Sequence, residues 1–190
     1  CLRFSAQLGF SIEEQTRQAL WEKKDLLLGL SQERVREELT KLLCGQQAEQ
    51  VLREYGEVVF TVLPEVAAMK GCAQETPYHC YDVWEHTLHA LSHAPAEPDL
   101  RWAVLLHDTG KPGKKSFSAD GVAHFYGHPP ESGRIARQVL ERLRFSNRER
   151  EEIAALVDHH EDKLPLGEAH LKKLLGKRGE EFVFRLLDLM

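Results

Sequence analysis

The chain has 190 residues, 42% of them hydrophobic and 29% charged, with a formal net charge of −5. That length supports one large domain or two small ones with a sizeable core, and the acidic balance excludes a globally basic nucleic-acid binder while leaving a local basic face open. Four widely spaced cysteines (Cys1, Cys44, Cys72, Cys80) without a C-x-x-C pair argue against a disulfide scaffold or zinc-thiolate site.

No apolar run reaches the roughly 18 residues of a membrane helix, and no signal peptide is visible, so the expected compartment is cytoplasmic, with no membrane partner. Cys1 begins inside an amphipathic pattern without a cap, and the helical period from Glu180 to Met190 stops without Gly, Asn or Pro. Both ends therefore read as cut from a longer protein. Ser11 with Glu14 forms a capping box, predicted to open a helix turning Ala19, Leu20, Leu26 and Leu27 inward. Ser31 is predicted to cap a second helix with Val35, Leu39, Leu42 and Leu43 in one stripe, ended by Gly45. A third short helix, QQAEQVLREYG, is expected to close at Gly56, and VVFTVLPEVAAM, interrupted by Pro64, reads as a buried connector.

A punctuated stretch, residues 71–77, then divides the chain near residues 71–80 into two helical subdomains, 1–70 and 71–190. The segments DVWEHTLHALSH, DLRWAVLLHDTGK, PESGRIARQVLERLRF and SNREREEIAALVDHHED all have helical period. Ser146 with Glu149 makes a second capping box before the last of them. SFSADGVAHFYGH alternates around Asp120-Gly121 and predicts a short hairpin or ordered loop. The predicted fold class is all-α with one irregular loop.

The chemistry concentrates in AVLLHDTGKPGKK. The apolar run Ala103, Val104, Leu105, Leu106 delivers His107 and Asp108 side by side before Gly110. A neutral imidazole beside a carboxylate suits a divalent ion. Lys111, Lys114 and Lys115 follow at once, cations suited to a phosphate brought there. An isolated His-Asp pair would merely end a helix. This one is accompanied by His86 upstream, His128 in GHPP and His159-His160 at the end of a later helix, in a chain of 10 histidines. A cluster of that kind favours metal binding.

The order His86, His107-Asp108 followed by T-G-K, His128 and a late His resembles the HD superfamily of metal-dependent phosphohydrolases. Further, CLRFSAQLGFSIEEQT and SQERVREELTKLL resemble conserved motifs of bacterial CCA-adding tRNA nucleotidyltransferases and poly(A) polymerases, the second being their neck helix. PYHCYDVWEHTLHAL and GVAHFYGHPPESG resemble the HD portion attached to many of those enzymes. The resemblance implies an HD-domain helical bundle over 71–190 preceded by a small neck-like helical subdomain over 1–70. The Gly-Gly-Ser and Asp-x-Asp motifs of the nucleotidyl-transfer head are absent, so no nucleotidyl transfer is expected from this chain alone. Arg3, Glu33, Arg34 and Glu38 would be supporting residues.

The same resemblance makes His86, His107 and Asp108 metal ligands. The family's last ligand, an Asp in an Ala-Asp step, would fall just after Met190, so Asp188 is read as a non-ligand. The resemblance then offers His128 and His160 as replacements. Asp108 would bridge two ions, with His86 and His107 on one and His128 and His160 on the other. His160 is preferred to His159 because relatives place their His one step before an acidic residue. His89 and His93 are read as packing or surface residues, and His79, His124 and His170 are given no role. Asp108 and Lys111 are the expected catalytic residues. The expected cofactor is a divalent metal (magnesium, manganese, nickel, iron and zinc all remain open), and the implied reaction is hydrolysis of a nucleotide or other phosphoester. tRNA is the expected partner of the full-length enzyme. The alternative is a tRNA-binding scaffold with a degenerate HD site, for which Lys23, Lys24, Arg34, Arg36 and Lys41 could form a basic strip. No oligomeric state is implied.

Overall fold

The computed structural model of the chain describes residues 1–75, 81–162 and 167–189, which are overwhelmingly helical. His79, Cys80 and Met190 lie outside the described residues. Helix α1 (Leu2–Leu8) is closed by Gly9 in a left-handed conformation, φ 69°. Helix α2 (Glu14–Glu22) starts later than the Ser11 box predicts: Glu13 is the N-cap, and its carboxylate accepts from the Thr16 N–H. A 3-10 segment, Lys24–Gly29, follows. Its tighter winding changes the register of the leucines, so Leu26 is 73% exposed rather than inward and Leu27 packs on the core.

Helix α3 (Gln32–Leu43) has the predicted cap, the Ser31 hydroxyl accepting from the Arg34 N–H, and the predicted buried stripe of Val35, Leu39, Leu42 and Leu43. Gly45 follows its cap because α1 passes close by. A Cβ there would stand 2.6 Å from the Ala6 carbonyl carbon. Helix α4 (Ala48–Val62) runs through Gly56, correcting the expected stop, and bends at Tyr55 with φ −116° and ψ 20°. Gly56 admits the Trp84 indole, which would lie 3.3 Å from an added Cβ. Pro64 opens the short helix α5 (Pro64–Ala67), consistent with its preference for a first helical position.

The second half contains α6 (Val83–His93), α7 (Pro98–Leu106), the short α8 (Lys111–Lys114), and then the hairpin of β1 (Ser116–Phe117) and β2 (Ala123–His124). The strands are antiparallel with Ser116 opposite His124, and Gly121 takes φ 81° in the turn. Helices α9 (His128–Arg142), α10 (Asn147–His159), α11 (Glu168–Arg178) and α12 (Glu180–Leu189) complete the described chain. The Ser146–Glu149 capping box is present in both its hydrogen bonds. No helix among the described residues is long and apolar enough to cross a membrane.

Helix α7 is the central element, in contact with α3, α6, α9, α10 and α12. Every residue from 100 to 106 is buried, as expected for a helix that is apolar nearly all round. Arg101 is the exception in chemistry, and its guanidinium donates to the carbonyls of Pro95 and Leu91. One apolar cluster extends from Ala6 to Leu186 through both halves. The Trp102 indole N–H donates to Thr40 Oγ1 at 2.9 Å. Arg142 clasps Glu65 and the Val62 carbonyl across the same divide.

Candidate metal centre

Helix α7 ends at Leu106, and the turn that follows carries His107, Asp108, Thr109 and Gly110 into the interior. Asp108 is completely buried. The four imidazoles singled out in the sequence surround it. His86 Nε2, from α6, and His107 Nε2 stand 3.7 and 3.1 Å from Asp108 Oδ2. His128 Nε2, from the start of α9, and His160 Nε2, from the end of α10, stand 3.1 and 3.5 Å from Oδ1. The side chains thus form two groups, His86-His107-Asp108 and Asp108-His128-His160, each with its potential ligand atoms within 4.8 Å of one another. Asp108 belongs to both.

The orientation of the rings follows from the backbone. His107 Nδ1 lies 2.7 Å from the Val104 carbonyl, His128 Nδ1 3.0 Å from that of Phe125, and His160 Nδ1 2.7 Å from that of Val157. A carbonyl only accepts, so each Nδ1 carries the proton, and in the neutral ring Nε2 presents a lone pair. Those lone pairs face carboxylate oxygens and each other: His128 Nε2 and His160 Nε2 are 3.1 Å apart. Acceptors aimed into one space repel unless a cation sits among them. Neither Asp108 oxygen has a well-aligned hydrogen bond despite these short approaches. Ligand bonds of about 2.0–2.2 Å would separate neighbouring donor atoms by about 3–3.5 Å, close to the 3.1–3.7 Å between the nitrogens and oxygens here. The donor set therefore fits a divalent ion in each group.

Burial alone pushes the Asp108 carboxyl up, and is the largest single influence on it. The electrostatic influence of His107 and the close ring nitrogens of His107, His128 and His160 together outweigh it and hold the group well below the usual carboxylate range. Asp108 is accordingly an anion. Lys111 Nζ, itself buried, is 2.8 Å from Asp108 Oδ2 and donates to Gln74 Oε1 at 3.1 Å. Lys115 is engaged elsewhere, with Glu75 and the Ala73 carbonyl. Of the three lysines singled out, Lys111 is thus the one set against Asp108.

Gln74 escaped the sequence reading because a lone glutamine between helices has no periodic signature. Its amide donates to the Tyr81 carbonyl while its oxygen holds Lys111. Gly110 and Ser132 also went unremarked as a pair. The Gly110 N–H donates to Ser132 Oγ, and an added Cβ on Gly110 would stand 2.7 Å from the His128 carbonyl oxygen. His159 turns away from the centre. Its Nδ1 lies 2.9 Å from Asp162 Oδ2, which His170 Nε2 approaches to 2.8 Å. His170, given no role from sequence, therefore belongs to a separate His-Asp-His cluster. Asp188 lines a different surface cleft with Glu97, Asp99 and Arg185. His89 and His93 stack on each other on the α6 surface. Arg36, offered as part of a basic strip, donates to the Arg144 carbonyl and lies over Phe145, while Arg3 pairs with Glu38 at 2.7 Å.

Comparison with known proteins adds an independent line. Residues 77–182 match the family described as HD domain, and residues 9–70 match the family described as the probable RNA and SrmB-binding site of polymerase A. The chain is 36% identical over 190 aligned residues to the CC-adding tRNA nucleotidyltransferase of Thermus thermophilus, covering 93% of this chain and 44% of that protein. It is 36% identical to the A-adding tRNA nucleotidyltransferase of Deinococcus radiodurans, covering 99% of this chain and 46% of that protein. A match to the multifunctional CCA protein of an Azoarcus species has 39% identity over half of this chain and 23% of that protein. The chain thus spans less than half the length of these relatives.

Proposed function

Because the chain belongs to the HD-domain family and carries, ahead of that domain, a region of the polymerase A RNA-binding type, we propose that it hydrolyses a phosphoester at a divalent-metal centre around Asp108. The observation carrying this reading is a buried carboxylate shared by two groups of imidazoles, with the Nε2 lone pairs of His107, His128 and His160 converging on it. His86, His107 and Asp108 would hold one ion, and Asp108, His128 and His160 the other. Divalent ions held there supply Lewis acidity toward a phosphate oxygen and acidify a water.

The protein's own contribution begins with Asp108, which stays ionised and gives one oxygen to each group. Lys111 balances that charge and, held by Gln74, stands where it can stabilise charge developing on a phosphate oxygen. The carbonyls of Val104, Phe125 and Val157 keep the three imidazoles neutral on the metal-facing nitrogen. We place the protein in tRNA processing on the strength of the relatives named above, with residues 9–70 as the RNA-contacting part.

Metal analysis of the purified chain by mass spectrometry, paired with hydrolysis of bis-p-nitrophenyl phosphate and 2′,3′-cyclic AMP, tests this reading. Asp108→Ala should lose both metal and activity, His160→Ala should lose metal from one group, and His159→Ala should retain the wild-type content. A wild-type protein without activity when supplied with manganese, nickel, iron or magnesium would sink the hydrolase reading. The tRNA-binding scaffold would then lead.

A further inference from the structure

A cleft of about 270 Å³ opens beside the centre, lined by Lys111, His128, Glu161, His124, Phe125 and Tyr126 among others. Two of these residues have no part in the metal geometry. Tyr126 is 76% exposed although aromatic, and its ring stacks on that of His124, with centroids 5.0 Å apart and planes within 11°. The intervening Phe125 takes the other side of the chain, with the Lys111 ammonium 5.7 Å from its ring centroid. This alternation puts two flat rings in one stack at the cleft.

The stack is joined rigidly to the site. His124 is held in β2, and Gly127 turns the chain at φ 75° directly into α9, whose first residue is His128. The Phe125 carbonyl that fixes the His128 ring belongs to the same arm. Only Gly127 lies between Tyr126 and His128, so no more than about 7 Å of chain separates them. A ribose bridges a comparable span between a base and a phosphate. Flat aromatic faces next to a cation and a metal-type centre are the features by which proteins hold unpaired bases, and such stacking tolerates any base because each has a π-face.

We propose that the His124–Tyr126 stack is a nucleobase platform, seating the unpaired base of a nucleotide or RNA end whose phosphoester lies at this centre. The assignment rests on the phosphohydrolase reading for where the phosphate lies, and on the stack alone for the base. Glu161, 56% exposed on its side chain and 3.7 Å from His128 Nε2, stands in the same cleft as an acceptor for a ribose hydroxyl or an exocyclic amine.

Calorimetric binding of adenosine 2′-monophosphate and of methyl riboside 2′-phosphate, which lacks the base, tests the platform directly in the presence of manganese. The wild-type chain should bind the nucleotide at least about tenfold more tightly. Tyr126→Ala should remove that preference, and Tyr126→Phe, which keeps the ring, should preserve it. Equal affinity of the wild type for the two compounds, binding of neither, or a preference that survives in Tyr126→Ala would overturn the proposal. Binding with base preference but without turnover of 2′,3′-cyclic AMP would count against the hydrolase reading and leave the platform standing.

Discussion

Around Asp108, glycine decides as much as histidine. Gly110 leaves no room for a side chain: its Cβ would meet the His128 carbonyl oxygen and the Ser132 N–H nitrogen, both at 2.7 Å, and both are backbone. Gly110→Ala must therefore push the start of α9 outward, and with it the His128 ring. Overpacking of this kind costs about 1–3 kcal/mol. We expect a lower Tm and a protein that retains the His86-His107 ion while losing affinity in the His128-His160 group, measured by metal titration. Unchanged stability and unchanged stoichiometry would show that the close approach is relieved elsewhere. His107-Asp108 was legible as an adjacent pair at the end of an apolar run, whereas His86, His128 and His160 were picked out of 10 histidines by the resemblance to HD phosphohydrolases. Gln74, Ser132 and Asp162 were not legible, since each acquires its part only through a partner distant in sequence or through a ring that turns away from the centre.

Local chemistry explains why some helix boundaries could be read and others could not. The Ser146–Glu149 box before α10 forms both of its bonds, and Asn147, another cap-type residue, is the first residue of the helix. Ser11 and Glu14 have the same spacing, but the nearer Glu13 caps the helix with its own carboxylate. Gly56 has the look of a stop, yet it lies inside α4 because Trp84 needs the space a side chain would fill. The Glu149 carboxyl is held below its ordinary value first by the Ser146 hydroxyl and then by the Ser146 backbone N–H. A depressed carboxyl contributes stability that is present above its unfolded value and disappears as pH falls through the folded one. Glu149→Gln should accordingly flatten the dependence of Tm on pH below about 4.5, and a mutant curve parallel to the wild type there would refute it. Ser146→Ala should cost about 1 kcal/mol, a loss of roughly 2–4 °C in Tm for a chain of this size.

Across the whole molecule, the sequence divides more sharply than the packing does. Punctuation near residues 71–80 suggests two subdomains, and the family matches fall on either side of it. The apolar cluster nevertheless runs through both halves, with Trp102 bonded to Thr40 and Arg142 to Glu65. Tertiary burial of this kind leaves no trace in a local pattern, because an apolar stripe does not name the helix that covers it. We expect a single calorimetric unfolding transition whose enthalpy agrees with the van't Hoff value. Two resolved transitions would mean that the boundary in the sequence is also a thermodynamic one.

The three carbonyls that anchor His107, His128 and His160 each belong to the residue three positions earlier in the chain. Each ring is therefore oriented within its own turn of backbone, whatever the other segments do. An arriving ion meets rings whose rotational freedom was already lost during folding, and no proton has to leave the nitrogen it binds. Loading should then be limited by how readily the ion sheds its water, and the rate should follow the exchange lability of the hydrated metal rather than any rearrangement of the chain.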